Sequence, residues 1–530
     1  MEVIKVEEKF EEKNNVEIPY FKRLFLLCVL FYKLGIVNFG GGYALLPLLS
    51  RELVDKRHWA TDTELADYYA VGQCTPGAIA VNVSTFIGYK ICGILGGILA
   101  TISFVFPAFI IIFVIATVLT NFSDNPFVVN ALAGINVVVF ILILSAIFKL
   151  SKKSIVDIWG ILLAASVTIL SIFVKAIPLY VYIIVAAVLG LLINLIKEKR
   201  FNAKYKVKKT EETEKLEIKE ETTEEVKEEK IEKEKGLTKN DVLTFFLGLL
   251  VGVSTGLIGC ISLLFVENKK YRNGLISSSF FWIIIAVCLI VSLATNNYVY
   301  FDIYFNFFRI GACAFGGGLA TFPFLQELGQ TTGWFNQEQL TAMLAVSEST
   351  PGAMGINMST YVGYTVSLSA YNNNYFLAFL GSIISTLGLV SPSIIVILIV
   401  SLFLQKFSKN KYVSWIFYGL RAASIGLICA AAYSVLKVSI FGVVDPTALV
   451  KDHYDIISAF TATIDYYKVN SGANFFSCIY RYITYLLDFK ALVVALVFGI
   501  LVFKLKKHPV FYIALGAVVG ILLQMGNVSL

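Results

Sequence analysis

The sequence predicts an all-α polytopic membrane protein with two homologous repeats related by a pseudo-two-fold axis, broken helices, and about 11–14 membrane segments. Three observations predict it. Of 530 residues, 57% are hydrophobic and 15% charged, and the mean hydropathy is +0.76. Soluble chains carry about a quarter charged residues, so this one needs lipid as solvent. Apolar runs also reach spanning length, as in 179–196, 242–266 and 376–404. At about 1.5 Å rise per residue, roughly 20 apolar residues cross the hydrocarbon core. Finally, one long pattern occurs twice.

Phe39-Gly40-Gly41-Gly42, followed by Pro47, recurs as Phe315-Gly316-Gly317-Gly318, followed by Pro323. Trp59 recurs as Trp334, and the stretch 70–78 recurs as 345–353. Asn82, Ser84, Thr85, Gly88 and Tyr89 then match Asn357, Ser359, Thr360, Gly363 and Tyr364. Order and spacing hold at a separation of about 275 residues, far beyond a solenoid period, so a whole domain is duplicated. After an extra piece, Ala370–Asn374, the match resumes: Pro107 aligns with Pro392, and Gly134-Ile135-Asn136 with Gly419-Leu420-Arg421.

In chain order, 1–19 reads as a cytoplasmic tail, since it lacks the pattern of a signal peptide. Residues 20–196 form the first repeat. The Lys- and Glu-rich 197–240 cannot bury a core and reads as a solvated linker. Residues 241–296 are connecting transmembrane segments without a match in the first repeat. Residues 297–530 form the second repeat, interrupted by a polar loop at 445–488. The expected location is a cell membrane, crossed many times, in a prokaryote.

Composition excludes several function classes. The net charge of +7 comes without a basic stripe interleaved with aromatics, so no nucleic-acid partner is expected. The eight cysteines sit mostly alone in apolar runs and read as packing residues, without metal spacing. With three histidines and no HExxH, GxSxG or Walker A pattern, neither an enzyme nor a cofactor is expected, and ATP does not drive this chain alone.

The chemistry centres on Thr75-Pro76-Gly77 and Thr350-Pro351-Gly352. Proline lacks an N–H and clashes with the preceding turn, and it pushes the residue before it out of the α region. It is nevertheless welcome in a helix's first turn. Each motif therefore reads as one helix ending and another beginning. Within a bilayer, such a break survives only where it is buried in protein or lines a cavity. The new N-terminus then offers unpaired N–H groups and about half a positive charge, which suits an anion. A plain kink is the bland reading of one motif; two matched copies favour a site.

Asn82 with Thr85, and Asn357 with Thr360, share a helix face. They can donate to oxyanion oxygens or link helices to one another. The runs Gly40, Gly41, Gly42 and Gly316, Gly317, Gly318 either unwind the chain or let helices touch. Arg421 lies in an apolar run, where an arginine is expensive in lipid, and its planar fork suits an oxyanion. Glu348, where the first repeat has Gln73, is a candidate for proton coupling, because a carboxyl removed from water favours its neutral form. Lys90 reads as an interface residue. The function these residues predict is secondary active transport of a small inorganic oxyanion. The alternatives are a transporter or channel for another small anion, or a membrane scaffold acting through its linker. The expected partners are the oxyanion and the lipid bilayer, with a homodimer allowed.

Together, Phe39–Gly42 with Pro47, Trp59, Thr75–Gly77, Asn82 and Gly88-Tyr89 resemble the chromate ion transporter family. The set from Phe315 to Tyr364 resembles it equally, and Gly419-Leu420-Arg421 is similar to its later Gly-apolar-Arg element. The resemblance spans roughly 20–196 and 302–404, reaching about 436. It implies a two-domain, long-chain member that exports chromate in exchange for protons, with sulfate as the analogue and the halves mutually inverted. Two departures stand out. Ala78 and Ala353 replace a second proline that often follows Pro-Gly, and Asn136 stands where an arginine is expected.

Overall fold

The computed structural model describes residues 19–216 and 297–526 except 39–47, 122–124, 156, 175, 316, 402–410, 441–487 and 506, together with residues 290 and 293. Among the described residues every regular element is a helix. The first half runs α1 (Tyr20–Val37), a π-helical turn (Ser50–Asp55), α2 (Asp62–Cys74), α3 (Ile79–Asn121), α4 (Pro126–Ser154), α5 (Ile158–Phe173) and α6 (Leu179–Leu216). The second runs α7 (Val299–Cys313), a 3-10 turn (Gly318–Thr321), α8 (Phe322–Thr332), α9 (Gln337–Ser349), α10 (Met354–Ala370) and α11 (Tyr375–Ser401). It ends with α12 (Lys411–Ser439), α13 (Phe489–Leu505) and α14 (Pro509–Leu523).

Five of these helices are long and apolar enough to cross a bilayer, within α3, α4, α6, α11 and α12; α5 and α14 are shorter apolar helices. This is a multi-pass membrane protein. Exposed apolar side chains on α5 and α6, such as Trp159, Leu162, Phe173 and Ile184, face outward, as lipid contact requires.

At 43 residues, α3 would run about 65 Å if straight, twice the bilayer core. It is interrupted at Cys92 and Gly93, where Gly93 has φ 66°. The two pieces correspond to α10 and α11, which are parted by a turn with Asn372 and Asn373 at positive φ. Both short helices before the proline motifs start on the same signal. Thr61 and Glu64 form a capping box on α2, and Asn336 and Gln339 form one on α9.

Packing interlocks the halves. α1 lies on α3 as α7 lies on α11, and α3 packs against both α10 and α11. The terminal pairs are exchanged: α5 and α6 pack on α12, whereas α13 and α14 pack on α4. Glycines make these crossings close. A Cβ on Gly134 would fall 2.2 Å from the Gly516 carbonyl oxygen, and one on Gly419 would fall 1.8 Å from that of Ala186. Gly134 and Gly419 are the aligned pair, so the contacts repeat with pseudo-two-fold symmetry.

Polar ties hold the exchange. Thr168 Oγ1 donates to the Gly426 carbonyl at 3.0 Å, and the Leu179 N–H donates to Glu327 Oε1 at 3.1 Å. The Asp157 carboxylate accepts from both Tyr418 Oη and Lys197 Nζ. Lys411 pairs with Glu198 at 2.7 Å. The helix carrying Lys197 and Glu198 continues unbroken from the expected repeat end at 196 to Leu216. The rest of the linker, the connecting segments apart from residues 290 and 293, and the 445–488 loop apart from Asp488 lie outside the described residues.

Candidate anion site at two paired helix breaks

Both proline motifs break their helices. α2 ends at Cys74, Thr75 is extended (φ −100°, ψ 153°), and α3 begins at Ile79. α9 ends at Ser349, Thr350 is extended (φ −111°, ψ 153°), and α10 begins at Met354. Gly77 and Gly352 take φ 93° and 112°, a region open to glycine and strained for other residues. Proline sets the extended residue before it, and glycine turns the chain into the next helix.

One wiring scheme secures both breaks. Thr75 Oγ1 donates to the Val71 carbonyl at 3.1 Å, and Thr350 Oγ1 to that of Val346 at 2.9 Å. Asn82 Nδ2 donates to Thr75 Oγ1 at 2.9 Å and to the Pro76 carbonyl at 3.0 Å. Asn357 Nδ2 does the same to Thr350 Oγ1 at 3.0 Å and to the Pro351 carbonyl at 3.1 Å. Asn82 Nδ2 also reaches the Gly72 carbonyl at 3.1 Å, and Asn357 Nδ2 that of Ser347 at 3.4 Å, so each asparagine ties the start of one helix to an orphan carbonyl ending the helix before. Its donors are occupied, while its Oδ1 is buried without a partner. Thr85 pairs with the Thr101 hydroxyl at 2.6 Å, and Thr360 with that of Thr386 at 2.8 Å. These bonds link the two pieces of α3 and join α10 to α11.

Each break is tied to the opposite half by a backbone hydrogen bond. The Gly77 N–H donates to the Ala314 carbonyl at 2.8 Å, and the Gly352 N–H to that of Asn38 at 2.9 Å. Asn38 and Ala314 are the residues just before each FGGG motif. Gly317, at φ 111°, lies against α3: a Cβ there would be 3.7 Å from Ile79 Cδ1. A Cβ on Gly318 would be 3.3 Å from the Met354 nitrogen and 3.5 Å from that of Gly355. The Gly317-Gly318 segment therefore lies between the first turns of α3 and α10. No side chain caps α10. The α10 N-terminus thus faces a backbone without side chains, and helix N-termini favour negative charge. Gly40, Gly41, Gly42 and Gly316 lie outside the described residues.

The predicted charges lie on helices that end at or pack near the second break. Glu348 is on the last turn of α9, partly accessible, next to the second break, and Lys149 on α4 is within electrostatic reach. Arg421 is partly buried on α12, a helix that also packs on α9 and on the Gly318–Thr321 turn. Its aligned residue, Asn136, is buried with Oδ1 unpartnered. Among the described residues, no group of three or more His, Cys, Asp or Glu could hold a metal ion.

Lys90 pairs with both carboxylate oxygens of Glu64 at 2.6 Å, tying α3 to α2. Exposed pairs contribute at most about 1 kcal/mol. Lys90→Ala is therefore expected to leave the unfolding temperature nearly unchanged and to lower transport only modestly, as thermal unfolding and vesicle uptake would measure.

Sequence reasoning passed over Asn38 and Ser393. Asn38 aligns with Ala314, so a search for residues shared by both repeats skips it. Ser393 Oγ donates to the Pro76 carbonyl at 3.1 Å across 317 residues of chain, a contact with no local signal. The aligned residue Ala108 abuts Gly352 in the same way.

Comparison with known proteins follows the same two-part pattern. The chromate transporter family model matches residues 25–191 and 301–521, and each segment contains one break. A probable chromate transport protein of Synechococcus elongatus is 23% identical over 413 residues, 76% of this chain and 81% of the relative. A chromate transport protein of Cupriavidus metallidurans is 23% identical over 435 residues, 80% of this chain and 84% of the relative. One from Pseudomonas aeruginosa is 31% identical over 133 residues, 24% of this chain and 31% of the relative. No solved structure matches. With both breaks inside matched segments that cover most of its length, the chain belongs to the chromate transporter family.

Proposed function

We propose that this protein is a secondary transporter that exports chromate across a prokaryotic cell membrane, holding the anion where the two helix breaks meet. One observation carries the reading: the Gly317-Gly318 backbone lies against the first turns of α3 and α10, close to the Met354 and Gly355 amide nitrogens. Amides aimed at one point favour a negative solute without a fixed counter-charge that would trap it. The duplicated construction fits alternating access, in which paired elements rock about a central site. In this reading Glu348, beside the second break, carries the exchanged proton, and sulfate is the analogue of the substrate. The chromate transport proteins among its relatives support the choice of anion.

Uptake of labelled chromate into everted membrane vesicles, with and without an imposed pH gradient, tests this. Accumulation above empty vesicles, enhanced by the gradient, is expected. Equal counts in loaded and empty vesicles, for chromate and sulfate alike, refute it. In the same assay Arg421→Ala is expected to lose most uptake at matched protein levels, because a cation inside the membrane is otherwise too unfavourable to keep. Wild-type uptake in that variant removes Arg421 from the pathway.

A further inference from the structure

The second break holds more unanswered hydrogen-bonding capacity than an oxyanion without protons can use. Asn38 is fully buried, and both its Nδ2 and its Oδ1 lack a partner. Its own carbonyl accepts the Gly352 N–H at 2.9 Å, which fixes this residue at the entrance to α10. Asn357 is 1% exposed, with Oδ1 unpartnered. That oxygen lies 2.8 Å from where a Cβ on Gly352 would be. Gly318 packs closely on the first turn of α10: a Cβ there would be 3.0 Å from Met354 Cβ, with the Met354 and Gly355 nitrogens at 3.3 and 3.5 Å. Buried polar groups of this kind are nearly always satisfied, so three orphaned atoms around one helix N-terminus mark a ligand's place.

The character of those atoms matters. The α10 amides and Asn38 Nδ2 are donors and suit oxyanion oxygens. Asn357 Oδ1 is an acceptor only, because its own Nδ2 is held by Thr350 Oγ1 and the Pro351 carbonyl. An acceptor facing a bare dianion is repulsive, whereas an acceptor facing a hydroxyl forms a hydrogen bond. We propose that the second break recognises a tetrahedral oxyanion that carries a hydroxyl, so that hydrogen chromate and not the bare dianion is bound. The donors take its oxygens and Asn357 Oδ1 takes its O–H. The first break has Ala314 where the second has Asn38, so the site is one-sided despite the pseudo-symmetry.

This inference rests on the breaks being the anion site. The test is calorimetric binding of chromate, phosphate and sulfate to the full chain in lipid nanodiscs at one near-neutral pH. Phosphate carries a hydroxyl there and sulfate does not, while their shapes match. Phosphate and chromate are expected to bind at least about tenfold more tightly than sulfate, as for a site whose buried acceptor would go unpaired. Asn38→Ala removes no hydrogen bond within the protein. It is expected to weaken chromate and phosphate about tenfold with an unchanged unfolding temperature. Sulfate binding as tight as phosphate, or wild-type binding by Asn38→Ala, overturns the inference while leaving chromate transport standing. A wild-type protein that binds none of the three overturns both this inference and the placement of the anion at the breaks.

Discussion

Gly77→Ala and Gly352→Ala are each expected to abolish transport and to destabilise the fold by about 2–6 kcal/mol. Two separate effects add. The first is backbone strain, because φ values of 93° and 112° lie where an alanine is costly. The second is overlap: the new Cβ would stand 1.7 Å from Ser393 Oγ at Gly77, and 2.5 Å from Ala108 Cβ at Gly352. Ala108 Cβ is fixed to α3, so relief at Gly352 requires that helix to move, whereas at Gly77 the Ser393 hydroxyl must rotate, giving up its bond to the Pro76 carbonyl, and its Cβ still lies 3.0 Å away. Gly93 separates the two effects. It too has positive φ, 66°, but nothing lies within 4 Å of its would-be Cβ. With ψ −154° it lies in a region essentially limited to glycine, so Gly93→Ala should show the strain alone, about 1–3 kcal/mol. Thermal unfolding of the purified proteins, alongside vesicle uptake, measures all three. If Gly77→Ala unfolds at the same temperature as Gly93→Ala, the contact with Ser393 is not tight.

Gly419→Leu is expected to leave almost no folded protein in the membrane, with a loss of more than about 3 kcal/mol. Gly419 is where α12 crosses α6: its would-be Cβ falls 1.8 Å from the Ala186 oxygen and 3.0 Å from Gly190 Cα. In lipid no hydrophobic effect draws helices together, so close backbone packing supplies the association, and a leucine removes it. Gly134→Leu should behave alike at the equivalent crossing of α4 and α14. Gly499→Leu on α13 is the matched control, with nothing within 4 Å of its would-be Cβ, and should be nearly silent. Yield and unfolding temperature after extraction read the effect. Wild-type values for Gly419→Leu would contradict the exchanged packing of the halves.

The backbone events at the centre were legible in the chain. Pro76 and Pro351 announce an extended residue before them and a helix start after them, since those preferences act within one or two residues. The capping pairs Thr61–Glu64 and Asn336–Gln339 are local in the same sense. Side-chain roles were less legible. Asn82 and Thr85 on one helix face are equally suited to an anion or to neighbouring helices, and the pattern is identical in both cases. The outcome depended on where Thr75 Oγ1 and Thr101 Oγ1 lay, and only the latter is out of local reach.

Composition and local backbone preference therefore determined the solvent of this protein, its duplicated plan, and the four-residue windows where its helices stop and restart. The tertiary structure decided the partners. In it α5 and α6 pack on α12, and α13 and α14 on α4, each exchange closed by a tight glycine crossing. Likewise, the Gly77 and Gly352 amides find carbonyls in the opposite half, and Asn38 stays unpaired beside one of them. Which donors remain free for a solute is a property of neighbours, and neighbours far apart in the chain leave no mark on the local sequence.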